Sequence, residues 1–213
     1  MPSIEPIHPL KDVWLRPRRV FRELAARPAG IVDYLLAAAQ GILNFLAIYR
    51  TEEAGAHRSV EQILGESFLF GSVAGVISLY LLAAIYRRLG ARAGGTSTRH
   101  QVIHVLAYGG VPLVASLALW VLIALLAGEA TFMKAPHGEV EGFVVFLLQA
   151  QFIAYVFLLM WSVVLQVMGL SEILGLSTRK AFAVWVLGQL LGLLAGLMLA
   201  VVVAVLFPAT ASH

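Results

Sequence analysis

Apolar residues run along this chain in five continuous blocks, about 30–49, 65–86, 102–127, 143–169 and 181–207, each bounded by charges or by Gly, Ser and Thr clusters. A helix rises about 1.5 Å per residue, so crossing a hydrocarbon core of about 30 Å takes roughly 20 residues, and every block suffices. The runs are continuous rather than alternating, which excludes barrel strands. A helix also makes its backbone hydrogen bonds within itself, as lipid requires. The pattern predicts an all-α fold, a polytopic membrane bundle of five transmembrane helices.

A different pattern precedes the first block. In residues 12–28, DVWLRPRRVFRELAARP, the apolar side chains Val13, Trp14, Pro17, Val20, Phe21 and Leu24 recur at helical spacing. Arg18, Arg19 and Arg22 occupy the other face, within reach of phosphates. Such a segment predicts a short amphipathic interfacial helix, with Trp14, Arg18, Arg19, Phe21 and Arg22 at the membrane surface and Pro17 in its first turn. The expected organisation is a cytoplasmic segment over 1–29, a five-helix domain over 30–207 and a short non-cytoplasmic tail over 208–213. The first block follows some thirty residues rich in Arg and Pro, so it reads as a retained span rather than a signal peptide.

Composition agrees with this reading: 60% of the 213 residues are hydrophobic, 13% are charged and mean hydropathy is +0.87. The formal charge of +3 needs no nucleic-acid partner once the cations are sorted by loop. Lys11, Arg16, Arg18, Arg19, Arg22, Arg27, Arg87, Arg88, Arg92, Arg99, Arg179 and Lys180 fall on one side of the expected membrane, while Arg50, Arg58 and Lys134 fall on the other, beside Glu residues. By the positive-inside rule the N-terminus is cytoplasmic and the C-terminus outside. The Arg, Ala, Leu and Gly bias suggests a bacterial cytoplasmic membrane. With no cysteine in the chain, disulfides, thiolate metal sites and thiol catalysis are excluded.

Polar side chains within the blocks are the candidates for chemistry. Asp33, Gln40 and Asn44 share one face of the first span, and Gln151, Tyr155, Ser162 and Gln166 share one face of the fourth. Two such stripes can meet in a polar interior, joined by His104 and Tyr108 of the third span. They read either as interhelical hydrogen bonding or as a pathway for an ion or small solute. His100 and His104 are spaced as a helical metal pair, but no further ligand stands near them, so no metal or other cofactor is expected. Gly71, Gly75, Gly188, Gly192 and Gly196 form small faces for close helix packing. Thr98 and Gln101 form a capping box for the third span, and Gly109, Gly110 and Pro112 are expected to kink it. No HExxH, GxSxG or GxxxxGK[ST] motif and no close pair of intramembrane carboxylates occurs, so an enzyme is not expected.

Three stretches, in this order along five spans, carry a family resemblance: WLRPRRVFREL from Trp14, GGTSTRHQVIHVLAYGGVP from Gly94 and GLSEILGLSTRKAF from Gly169. Within the second, Gly94, Gly95, Tyr108 and Pro112 carry the likeness. The chain resembles the Yip family, the Ypt/Rab-interacting domain, in its bacterial branch, from about residue 14 to 207. The resemblance implies a five-helix membrane domain whose eukaryotic relatives act in vesicle traffic by binding small GTPases and one another. The longer polar N-terminal region through which those relatives engage partners has no counterpart here, so the fold carries over and GTPase binding does not. The expected partners are the lipid bilayer and other membrane proteins, or a second copy of this chain.

Overall fold

The computed structural model describes residues 7–133 and 142–206, with side chains to residue 198. Among the described residues there is helix and no strand: α1 (Pro9–Asp12), α2 (Pro17–Leu24), α3 (Ile31–Thr51), α4 (Val60–Glu66), α5 (Ser72–Arg92), α6 (Arg99–Gly109), α7 (Val111–Ala127), α8 (Gly142–Leu174) and α9 (Thr178–Leu206). A π-helical turn, Ser67–Gly71, joins α4 to α5, so that Val60–Arg92 runs as one span. With Arg99–Phe132 as another, the described residues hold five helices long and apolar enough to cross a membrane. The expected 208–213 tail, and Lys134, Glu139 and Glu141 of the third loop, lie outside the described residues.

Local chemistry explains where the helices begin and end. Pro17 opens α2, where its missing N–H costs nothing. At the start of α6 the Thr98 N–H donates to Gln101 Oε1 (2.9 Å) and the Gln101 N–H to Thr98 Oγ1 (3.4 Å), the expected capping box. Ser59 and Gln62 repeat the device at α4. Helices α5 and α8 stop at Gly94 (φ 92°) and Gly175 (φ 64°), left-handed positions that a side chain would strain.

The spanning helices pack in a ring: α3 against α5, α5 against α9, α9 against α8, and α8 against α6 and α7, which close the ring onto α3. The closest approach is between α3 and α5. A Cβ on Gly75 would lie 2.1 Å from the Ala37 carbonyl oxygen, and one on Gly41 2.0 Å from that of Gly71. Gly71 and Gly75 therefore serve contact within the chain. Gly188 and Gly192 receive Tyr86 and Leu82 of α5, whereas Gly196 has open space beside it. At the end away from α2, Glu66 accepts from both Tyr49 and Arg58, pinning α3 to α4.

These contacts set up opposite outcomes for two glycines. Gly75→Val drives a methyl into backbone that cannot yield, and is expected to destabilise the bundle by about 3 kcal/mol or more. Gly196→Ala meets nothing and removes a helix-breaking residue, so it should leave stability unchanged or raise it by up to about 1 kcal/mol. Thermal unfolding in one fixed detergent checks both.

Candidate functional site

The residues between α2 and α3 build a buried polar cluster with the start of α6. Asp33 is the third residue of α3, where its carboxylate reaches back to the helix start and Oδ2 accepts from the Gly30 N–H at 2.8 Å. That contact also sets an acceptor at a helix N-terminus, where the free backbone N–H groups need one. Its other oxygen, Oδ1, lies 2.7 Å from His104 Nδ1, and His104 Nε2 lies 3.1 Å from the carbonyl oxygen of Arg27. Asp33 and His104 are 2% and 3% exposed.

This geometry determines the protons. A carbonyl only accepts, so His104 Nε2 must carry hydrogen and donate to Arg27. The short Nδ1–Oδ1 contact needs one more proton between ring and carboxyl. The pair is thus either imidazolium with carboxylate or imidazole with carboxylic acid, and either form is neutral overall and fully bonded. His104 has no lone pair left for a metal at Nε2, while His100 on the preceding turn is exposed. Among the described residues, no three His, Cys, Asp or Glu side chains gather closely enough to hold a metal ion.

The cluster clamps α2 to the bundle. Gln101 Nε2 donates to the Ala25 carbonyl at 3.3 Å, Arg22 pairs with Glu172 of α8 at 2.8 Å, and the Phe21 ring packs over Gly169. Pro17, Val20, Phe21 and Leu24 are all buried, so the apolar face of α2 meets α6 and α8. Phe21, read from the sequence as lying at the membrane surface, instead fills a protein core, because Gly169 leaves room for its ring. Trp14 is half-buried against the same core, and Arg18 and Arg22 remain exposed on the outer face. Arg19 pairs with Glu23 one turn on.

Deeper in the bundle the third span breaks. Helix α6 ends at Gly109 and α7 begins at Val111, because Pro112 has no N–H to give the carbonyl one turn back and the glycines allow the change of direction. The break lies about 16 Å along the span, at eleven residues of about 1.5 Å each. Polar groups of both stripes attend it: Gln40 Nε2 donates to the Ala107 carbonyl at 3.3 Å and Ser162 Oγ to that of Gly109 at 2.7 Å. Before the break, α6 touches α3, α5 and α8 and fills the ring; beyond it, α7 packs on α3 and α8 without comparable contact to α5. A cavity of about 280 Å³ occupies the vacated centre.

The two sequence stripes are divided among these features. Asp33 joins His104, with Tyr108 beside the imidazole at 6.3 Å between ring centres. Gln40, Asn44, Tyr155 and Gln166 line the cavity, and Ser162 holds the break. Gln151 lies apart, accepting from Arg50 at 3.4 Å near the other end of α3. Sequence reasoning missed Ser78 and Gln189, which also line the cavity, and Tyr86 and Trp185, which bond to Gln189 and Gln166. The signal was present in helical spacing: Ser78 continues the Gly71 and Gly75 face, and Gln189 follows Trp185 by four.

Removing one partner of a buried pair strands the other, at a cost of about 3–5 kcal/mol. Asp33→Ala and His104→Ala should each fall in that range, and the double variant should cost clearly less than their sum. Unfolding measurements on the three variants test the coupling. Hydrogen exchange over residues 17–27 should rise in each, because His104 holds the Arg27 carbonyl.

Comparison with known proteins agrees with the architecture. The family model for the Yip1 domain matches residues 11–204, which takes in α2, every span and the break. No curated protein and no solved structure matches the chain. A match over nearly the whole length of a five-helix apolar bundle places this chain in the Yip1 domain family of membrane proteins.

Proposed function

We propose that this protein is a non-catalytic membrane component that acts by associating with other membrane components. In this reading it sits in a bacterial cytoplasmic membrane, its N-terminus inside and its C-terminus outside. The observation that carries the reading is the clamped α2. With its apolar face against α6 and α8, its polar face is held rigidly outward, so Arg18 and Arg22 form a fixed surface. Exposed Arg87, Arg88 and Arg92 at the end of α5, and Arg179 and Lys180 at the start of α9, extend it. Such a surface suits acidic segments of neighbouring membrane proteins and anionic headgroups, the latter at about 1 kcal/mol per cation.

Two further features favour association over chemistry. The buried ionisable pair, Asp33 and His104, is spent on holding α2, α3 and α6 together. Meanwhile α8 is 11% buried along its apolar stretch against 39% for the third span, and Phe152, Phe157 and Met160 are exposed on its flank. That flank is wide enough to meet a second membrane helix as well as lipid.

A photo-crosslinker placed at Arg18 or Phe157 in native membranes should give discrete heavier products containing a second polypeptide. Lipid adducts and monomer alone at both positions would overturn the proposal. Orientation has its own test, simplified by the absence of cysteine. His57→Cys should react with a membrane-impermeant maleimide on intact cells, and Arg18→Cys only after lysis.

A further inference from the structure

The hydrogen-bonding capacity inside the ring is not used up. Gln40 gives its amide N–H to Ala107 and keeps Oε1; Gln166 and Gln189 accept through Oε1 from Trp185 and Tyr86 and keep their NH2 groups. Asn44, Ser78 and Tyr155 make no hydrogen bond to any described residue, yet all six side chains line the one cavity of about 280 Å³. At this depth the surrounding hydrocarbon supplies no water, and unmet polar groups are costly there. Six of them converging on one space require polar matter within it.

Their chemistry restricts what that matter can be. Among the described residues, no Asp, Glu, Lys, Arg or His lines the cavity, so none of them balances the charge of an ion there. The nearest buried ionisable groups, Asp33 and His104, neutralise each other. What the walls offer is a mixture: amide donors on Gln166, Gln189 and Asn44, amide acceptors on Gln40 and Asn44, and hydroxyls on Ser78 and Tyr155 that do either. A hydroxyl answers both kinds, as water does, and carried on an amphiphile it can reach the site from the bilayer, where water is scarce. The volume lies just below that of drug-sized ligand pockets, about 300–1,000 Å³, which suits a headgroup or small solute. Asn44, Ser78 and Gln189 are exposed as well as lining the cavity, so it is open rather than sealed.

We propose that the cavity below the Gly109–Pro112 break is a binding site for a neutral hydroxyl-bearing group, of the kind carried by a diacylglycerol headgroup or by free glycerol. The break creates the site by moving α7 away from α5. Gln40 and Gln166 bind the occupant with the amide atoms left over from their structural bonds. Asn44 and Tyr155 contribute from opposite walls.

The test uses the full chain in phosphatidylcholine nanodiscs and two probes. A photoactivatable diacylglycerol should label peptides of α3 and α8 that line the cavity, and unlabelled diacylglycerol but not phosphatidylcholine should compete. Labelling should fall about tenfold in Asn44→Leu and in Tyr155→Phe, the loss expected for one buried hydrogen bond. Saturation-transfer NMR with free glycerol forms the second arm; a transfer signal abolished in Asn44→Leu would assign the site to a soluble polyol. Tyr155→Phe removes a hydroxyl and nothing else, Asn44→Leu keeps the side chain's heavy-atom count, and unchanged unfolding temperatures confirm intact variants. Labelling spread evenly over the lipid-facing flanks and unaltered in both variants, together with no variant-sensitive glycerol signal, would overturn the proposal.

Discussion

Hydrocarbon offers no hydrogen bonds, and most of this architecture follows from that. A helix satisfies its own backbone, so five unbroken helices would need little else. The third span is not unbroken: Gly109, Gly110 and Pro112 divide it into α6 and α7 within the bundle. Carbonyls at such a break draw donors from neighbouring helices: Ser162 of α8 meets that of Gly109, and Gln40 of α3 joins the Gly110 N–H on that of Ala107. Polar side chains in the first and fourth spans are thus tied to a proline in the third. The change of direction also empties the centre of the ring and exposes the unused halves of those same amides.

The same constraint governs the basic end. Asp33 and His104 would each be costly alone, and together with the Gly30 amide and the Arg27 carbonyl they form a neutral, completed set. Because Arg27 lies just beyond α2, completing the set pulls the preceding helix onto the bundle. Phe21 then fills the space above Gly169, and Arg22 finds Glu172. A segment with the composition of a surface anchor becomes a fixed part of the protein, its cations displayed and its apolar face enclosed.

Much of this was legible in the sequence. The number and place of the spans follow from blocks of about 20 or more apolar residues. The amphipathic spacing of residues 12–28, the Thr98–Gln101 cap and the break at Gly109 to Pro112 rest on local rules that tertiary contact did not override. Periodicity also grouped Gln40 with Asn44 and Tyr155 with Gln166, since residues on one face stay together wherever that face turns.

What periodicity lacks is the direction each face takes. Asp33 shares its stripe with Gln40 and Asn44, yet the structure turns it to His104 and leaves the other two on the cavity, because the helix start and the helix middle meet different neighbours. Gln151 likewise leaves its stripe for Arg50. Neither the Arg27 carbonyl nor the Gly30 amide has any side-chain signature, so their part in the buried pair was invisible in the amino-acid string. The sequence alone determined that five helices are long and apolar enough to cross a membrane, and which of them breaks. Only the tertiary structure decided which polar groups saturate one another and which remain open, since that depends on distances between helices that no single helix encodes.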